Sequence, residues 1–240
     1  MSSSEAKCFK RVTHCIFDND GTIMDTENIY TNAIQNVLTP YGKKYTFELK
    51  KQQMGLSAAV ASANMVRILN LPITPQEYLA KFRAELHALI TDVKLLPGVK
   101  DLLLHLFEHR VPMAMATATY RDTFNIKALP HCQLLPVFRH IVCGDDPELK
   151  ACKPSPDIFL LAAARFKPAP LPECCLVFED SAQGKDAGVA AGMQVVLIPD
   201  ARLPIADTKG ATLVLRSMAD FQPELFGLPA FDNVEKFTFG

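Results

Sequence analysis

In VTHCIFDNDGTIMDTE, residues 12–27, an apolar run stops at two carboxylates, Asp18 and Asp20, set two apart and followed by Gly21. The run VTHCIF is short and nearly continuous in its hydrophobicity, which suits a strand covered on both faces. On extended backbone, residues two apart point the same way, so Asp18 and Asp20 would present their carboxylates together. Asp-Gly is also the chemistry of an ordinary strand-ending turn. A calcium loop of the EF-hand kind would need glycine at its sixth position and an acid at its twelfth, but these are Ile23 and Ile29. A GxxxxGK-Ser/Thr phosphate loop occurs nowhere in the chain.

Further runs of the same kind follow: VPMAMA (111–116), HIVC (140–143), CLVF (175–178), QVVLI (194–198) and TLVL (212–215). Helix-like stretches lie between them at 99–109, 121–129, 156–166 and 183–191, with Ile158, Leu161 and Ala162 at helical spacing in the third. Strand and helix alternate, which predicts an α/β domain on a mostly parallel sheet. The alternation is broken once, over residues 27–93, where helix signals stand alone. Tyr30, Ala33, Ile34, Val37 and Leu38 share one face, and Val60, Met65, Ile68 and Leu69 mark a second helix. Thr74-Pro75-Gln76-Glu77 reads as an N-cap with proline at the first helical position, opening a third helix to about Ile90. Residues 27–93 are therefore expected to form a helical cap domain, with residues 1–26 and 94–240 as the core and Pro97-Gly98 as the return hinge. Open α/β sheets collect ligands at the carboxyl ends of their strands, so such an insert would sit over the site as a lid.

The composition narrows the function. Of 240 residues, 49% are hydrophobic and 21% charged, and the formal net charge is −1, an ordinary globular balance without the basic excess of a nucleic-acid or membrane-surface protein. No apolar stretch reaches the roughly 18–20 residues of a membrane span, and MSSSEAKCFKRVTH lacks the apolar segment of a secretory signal. The seven cysteines are odd in number and show no CxxC spacing. A reduced, cytoplasmic protein, monomeric and acting on a small molecule, is the expectation.

Three more stations accompany the opening pair. Ala116-Thr117-Ala118-Thr119 ends the second strand, Lys153 stands before a proline and a helix start, and Glu179-Asp180 ends another apolar run. Taken singly, these read as a helix cap, a solvated lysine and a second turn. Together, mostly at strand ends, they suit phosphoryl transfer. Hydrolysis of a phosphate monoester needs a positioned nucleophile, a proton shuttle and positive charge around the phosphoryl oxygens. A carboxylate can be the nucleophile, and carboxylates facing a dianionic phosphate require a cation, for which Mg²⁺ suits oxygen ligands.

DNDGT, Thr117, Lys153-Pro154 and Glu179-Asp180, in that order, resemble the four motifs of the haloacid dehalogenase superfamily, and the early helical insert is similar to that of its small-cap members. The resemblance implies a Rossmann-like parallel-sheet core with an inserted helical cap, and a Mg²⁺-dependent phosphatase working through an aspartyl-phosphate. It implies that Asp18 attacks phosphorus and that Asp20 is the acid/base, its backbone carbonyl also ligating Mg²⁺. Thr117, Ala118 and Lys153 would bind the phosphoryl group. Asp18 and Asp180 would hold the metal, with Glu179 as a ligand or a supporting group. The implied substrate is a small phosphomonoester, pseudouridine 5'-phosphate first among the candidates and sugar or glycerol phosphates as alternatives. Leu56, Ser57 and Arg121 are candidate substrate contacts, Leu56 and Arg121 lying where the chain departs from the pattern it otherwise follows. Tyr30 stands where sugar phosphomutases of the superfamily carry a histidine, which implies water as the phosphoryl acceptor. A mutase and a non-catalytic binding protein are the competing readings.

Overall fold

The computed structural model describes residues 9–53, 56, 58–90 and 93–232. Strands β1 (His14–Phe17), β2 (Met113–Ala116), β3 (His140–Val142), β4 (Cys175–Glu179), β5 (Gln194–Leu197) and β6 (Leu213–Val214) form one sheet in the order β3-β2-β1-β4-β5-β6. Every pairing is parallel. The expected α/β class is therefore the observed one, each strand lying within a residue or two of its apolar run.

Alternation along each strand explains why these runs are apolar throughout. In β1, Cys15 and Phe17 point into a core shared with α5 (Val99–Glu108) and α6 (Arg121–Ala128), whereas Ile16 points into a second core against α7 (Asp157–Ala164) and α8 (Ala182–Ala190). Met115 and Phe178 join the first core, and Ala114 and Val177 the second. With helices on both faces, a polar side chain in mid-strand would be buried on either face, so polar residues fall at the strand ends. Phe17 stacks on Phe178 with ring centroids 4.5 Å apart, and Phe221 meets Phe178 edge-on at 4.9 Å. The segment carrying Phe221 and Phe226 closes the lower end of β1, where the Val12 N–H donates to the Phe226 carbonyl at 3.0 Å.

The chain leaves β1 for β2 and β3 on one side, then crosses to β4, β5 and β6 on the other. β1 thus flanks the point where strand order reverses, the place where open α/β sheets bind ligands. Register brings the carboxyl ends level there: Phe17 is opposite both Met115 and Phe178. The residues that follow these strands meet by topology alone.

Between β1 and α5 run α1 (Glu27–Leu38), α2 (Phe47–Gln53), α3 (Ala58–Leu69) and α4 (Pro75–Leu89). Val37, Leu38, Met65, Leu71 and Tyr78 form their own apolar cluster. The two strands of chain that connect this insert lie side by side: Asp25 N–H donates to the Lys94 carbonyl at 2.9 Å and Leu96 N–H to the Ile23 carbonyl at 2.9 Å. Gly98, at φ +80°, then starts α5 so close to the Ala219 backbone that a Cβ would overlap it. α4 begins at the expected cap, with the Glu77 N–H donating to Thr74 Oγ1 at 3.2 Å and the Thr74 N–H donating to Glu77 Oε2 at 2.7 Å. Helix α2 is a fourth helix of the insert, beyond the three that spacing and capping mark. Its buried face carries Leu49, Lys50 and Gln53, so two of the three positions that hydrophobic periodicity relies on are polar. Among the described residues, no helix is long and apolar enough to cross a membrane.

Candidate active site

Asp18 follows directly on β1, its N–H donating to the Phe178 carbonyl at 2.9 Å, so the sheet itself fixes its backbone. Its carboxylate is buried against Lys153, whose ammonium lies 2.5 Å from Asp18 Oδ1 and 2.5 Å from Glu179 Oε1 and donates to the Ala116 carbonyl at 3.2 Å. A buried ammonium is tolerable because all three of its donors are used. Glu179 is equally engaged. Its Oε2 accepts the Asp180 N–H at 3.1 Å, the Ser181 N–H at 3.0 Å and the Ser181 hydroxyl at 2.9 Å. Both Glu179 oxygens are thus taken by donors of this chain, which suits an anchor for Lys153 better than a metal ligand.

Helix α8 enters this arrangement through Gly184. A Cβ at that position would fall on the Glu179 carboxylate. Gly184→Ala should therefore displace Glu179 and loosen Lys153, destabilising the protein by about 2–3 kcal/mol, as overpacking of a filled site typically does. Denaturant unfolding checks this, and an unchanged midpoint would mean that Glu179 can move without cost.

Asp20 lies in a different electrostatic setting from Asp18. Its carboxylate forms an ion pair with Lys127, which lies 2.5 Å from Oδ1 and is fully buried, and it accepts from Thr119 Oγ1 at 2.7 Å and Thr117 Oγ1 at 3.3 Å. Lys127 also donates to Thr119 Oγ1 at 2.9 Å. Burial would raise the Asp20 pKa, but the Lys127 charge and these hydrogen bonds outweigh it and hold the carboxyl below its usual range. Burial likewise works against the Lys127 ammonium, and the Asp20 charge overcomes it and raises that pKa. Asp18 goes the other way, pushed up to about 7 by burial and by the charges of Glu179 and Asp20, against the opposing pull of Lys153. Asp180 is raised well above the carboxylate range by burial and then by Glu179 and Asp18.

These groups line one end of a cavity of about 280 Å³, bounded by Asp18, Asp20, Ala118, Lys153, Glu179 and Asp180 on the sheet side and by Leu56 and other insert residues opposite. Thr117 sits fully buried beneath, its N–H donating to the Val142 carbonyl at 3.0 Å. Arg121 is turned away: its Nη2 donates to the Ile141 carbonyl at 2.6 Å and its guanidinium lies 5.7 Å from the Phe124 ring centroid. Ser57 lies outside the described residues. Lys127 and Thr119, which the sequence reading did not single out, belong to the same constellation. The signal for Lys127 was present, since the buried face of α6 is Thr123, Phe124, Lys127 and Ala128 at helical spacing.

The haloacid dehalogenase-like hydrolase family profile matches residues 15–198. The chain belongs to the haloacid dehalogenase-like hydrolases. Within this family the probable pseudouridine-5'-phosphatase of Drosophila melanogaster is 48% identical over 228 residues, covering 95% of this chain and 99% of that protein. (DL)-glycerol-3-phosphatase 2 of Arabidopsis thaliana is 38% identical over 92% of this chain and 94% of its own length. Among solved structures, a putative beta-phosphoglucomutase from Thermotoga maritima superposes with a TM-score of 0.68 at 27% identity, covering 90% of this chain and 97% of that one. The haloacid dehalogenase-like fold thus spans relatives named for different substrates and reactions, and what lines the cavity must distinguish them.

The donor set of this hydrolase suits a hard cation. Among the described residues, no three His, Cys, Asp or Glu side chains form a metal cage. What the site offers instead is two raised carboxylates, Asp18 and Asp180, beside the loop after β1. Gly21, at φ +79°, approaches so near that a Cβ would overlap the Asp180 carboxylate. Two carboxylates beside a backbone loop, leaving room for waters and a substrate oxygen, match what Mg²⁺ prefers over an all-protein cage.

Proposed function

We propose that this hydrolase of phosphomonoesters cleaves pseudouridine 5'-phosphate to pseudouridine and phosphate through an aspartyl-phosphate on Asp18, with Mg²⁺ as cofactor. The observation that carries the chemistry is the separate anchoring of two carboxylates two residues apart: Asp18 on Lys153, Asp20 on Lys127. Asp18, fixed at the end of β1 and facing the cavity, is placed to attack, and Asp20, held by Lys127 and Thr119 on the loop beyond it, is placed to handle protons. The substrate assignment is supported by the identity to the Drosophila relative over nearly the whole of both chains.

In this scheme an Asp18 carboxylate oxygen attacks phosphorus in line with the ester oxygen. Lys153 neutralises charge on the phosphoryl oxygens, steadied by Glu179; Ala118 lines the same cavity, and Thr117, buried beneath it, steadies the Asp20 carboxylate. Asp20 gives a proton to the departing alkoxide and then takes one from the water that releases phosphate from Asp18. Asp18, Asp180 and the Asp20 backbone would hold Mg²⁺, which when bound supplies the positive charge that lets a dianion approach two carboxylates. Glu179 stays outside the metal's direct ligands as the anchor of Lys153. Residues 27–93 act as the cap domain and residues 1–26 and 94–240 as the core, the cap closing the cavity against water. A cytoplasmic setting fits the cysteines: Cys15, Cys132, Cys143, Cys152, Cys174 and Cys175 are all free.

kcat/KM measured with Mg²⁺ for pseudouridine 5'-phosphate, uridine 5'-phosphate, glucose phosphates and glycerol 3-phosphate tests the assignment. Pseudouridine 5'-phosphate should lead by about tenfold or more, each tenfold corresponding to about 1.4 kcal/mol of transition-state binding. A lead for glycerol 3-phosphate, or interconversion of sugar phosphates, would overturn the substrate. No turnover with any of them would leave a binding protein on this fold.

A further inference from the structure

The lining of the cavity also carries buried polar atoms that have no partner among the described residues. Gln53, on α2, is 9% exposed and Tyr78, on α4, is 3% exposed. Both line the cavity, yet among the described residues neither the Gln53 amide nitrogen, the Gln53 amide oxygen nor the Tyr78 hydroxyl has a hydrogen-bond partner. Two neighbouring polar side chains of the lining are paired within the chain: the Ser62 hydroxyl donates to the Ala58 carbonyl at 2.7 Å, and Lys50 pairs with Glu27. Burying a carboxamide with both of its ends unpaired is unfavourable, and a fold keeps such a group where a ligand completes it.

We infer that Gln53 and Tyr78 read the leaving group of the substrate, and that this group is a flat ring carrying an N–H donor beside a C=O acceptor in its own plane, as in a uracil-type base. The inference rests on the phosphatase reading above. A carboxamide offers one donor and one acceptor in a single plane, the complement of a cyclic amide or imide edge. The surrounding wall decides between a ring and a polyol. Ile34, Leu56, Met65, Leu79 and Phe82 line the same cavity, and Ile34, Met65 and Phe82 pack in one apolar cluster with Tyr78. A sugar or glycerol would bury hydroxyls against those apolar side chains without partners. A base confines its polar atoms to its edge and lays its faces on the apolar wall. Gln53 Nε2 then donates to the ring carbonyl, Gln53 Oε1 accepts from the ring N–H, and the Tyr78 hydroxyl serves a neighbouring polar atom.

The test compares uridine 5'-phosphate and pseudouridine 5'-phosphate with ribose 5-phosphate, which keeps the phosphoester and sugar but has no base, in the wild type and in Gln53→Leu, Gln53→Glu and Tyr78→Phe. In Gln53→Leu, kcat/KM for both nucleotides should fall by about 10- to 100-fold while ribose 5-phosphate changes by less than about twofold. Gln53→Glu keeps the shape and removes the donor, so it should fall similarly for the nucleotides. Tyr78→Phe should lose several-fold with the same selectivity. Thermal melting separates this from a structural role. Leucine removes two unpaired buried atoms, so Gln53→Leu should melt at or above the wild-type temperature even as nucleotide turnover drops. Equal losses on all three substrates, a lower melting temperature for Gln53→Leu, or wild-type preference for ribose 5-phosphate would each overturn the inference. Hydrolysis of all three without a nucleotide preference leaves the phosphatase standing, whereas hydrolysis of none defeats the phosphatase reading itself.

Discussion

Replacing Asp18 with Asn should reduce turnover by about 10⁴-fold or more, the scale expected when a covalent nucleophile is lost, while the protein stays folded. The second half of that expectation follows from the surroundings. Asp18 is buried, and asparagine keeps the shape of its side chain, so the packing around it is undisturbed. Lys153 loses one partner but keeps Glu179 at 2.5 Å and the Ala116 carbonyl at 3.2 Å. Steady-state assays with a sensitive phosphate readout, beside a melting curve of the same sample, check both halves. Turnover within tenfold of wild type would place the nucleophile elsewhere. Loss of activity together with loss of the folded transition would leave the assignment without support from this variant.

Lys127→Met should separate substrates by their leaving group. Lys127 is fully buried, touches Asp20 and Thr119, and approaches no other acid among the ion pairs of the site. Methionine fills the space of the lysine stem but holds nothing, so Asp20 loses the contact that fixes its carboxylate. General acid catalysis is worth about 10²–10⁴-fold. An alkyl phosphate, whose alkoxide must be protonated as it leaves, should therefore lose about 10²–10³-fold in kcat/KM. p-Nitrophenyl phosphate, whose phenolate departs unaided, should lose less than about tenfold in the same measure. Because kcat/KM reports steps up to formation of the phosphoenzyme, the shared hydrolysis step does not blur the contrast. Parallel losses on both substrates would give Lys127 a structural role only.

The architecture was legible because its physics is local and repeated. A strand packed between two helical layers is apolar on both faces along its middle, and β1, β2, β4 and β5 show this in runs of three or four residues, with polar His14, Glu179 and Gln194 only at strand ends. The order of Asp18, Thr117, Lys153 and Asp180 along the chain was equally visible, and the parallel register accounts for why those positions meet. What escaped the sequence was pairing across distance. Spacing puts Lys127 on the buried face of its helix, but its partner Asp20, 107 residues earlier, becomes visible only in the fold. Helix α2 escaped for a related reason: its buried face is formed by Lys50 and Gln53, whose partners and cavity exist only once the insert is folded over the sheet. Arg121 shows that an open alternative also needs the fold to decide it. A basic residue at a loop beside the site invites a phosphate contact, yet the Ile141 carbonyl claims it at the sheet edge.

Rapid acid quench during the first turnover, followed by mass spectrometry of the peptide that contains residues 14–24, addresses the central claim most directly. Phosphate should appear on Asp18 within the first turnover, decay as free phosphate rises, and be missing from Asp18→Asn. Product formed in the first turnover with no phosphate on the protein, or with phosphate on a different residue, would contradict the covalent role assigned to Asp18.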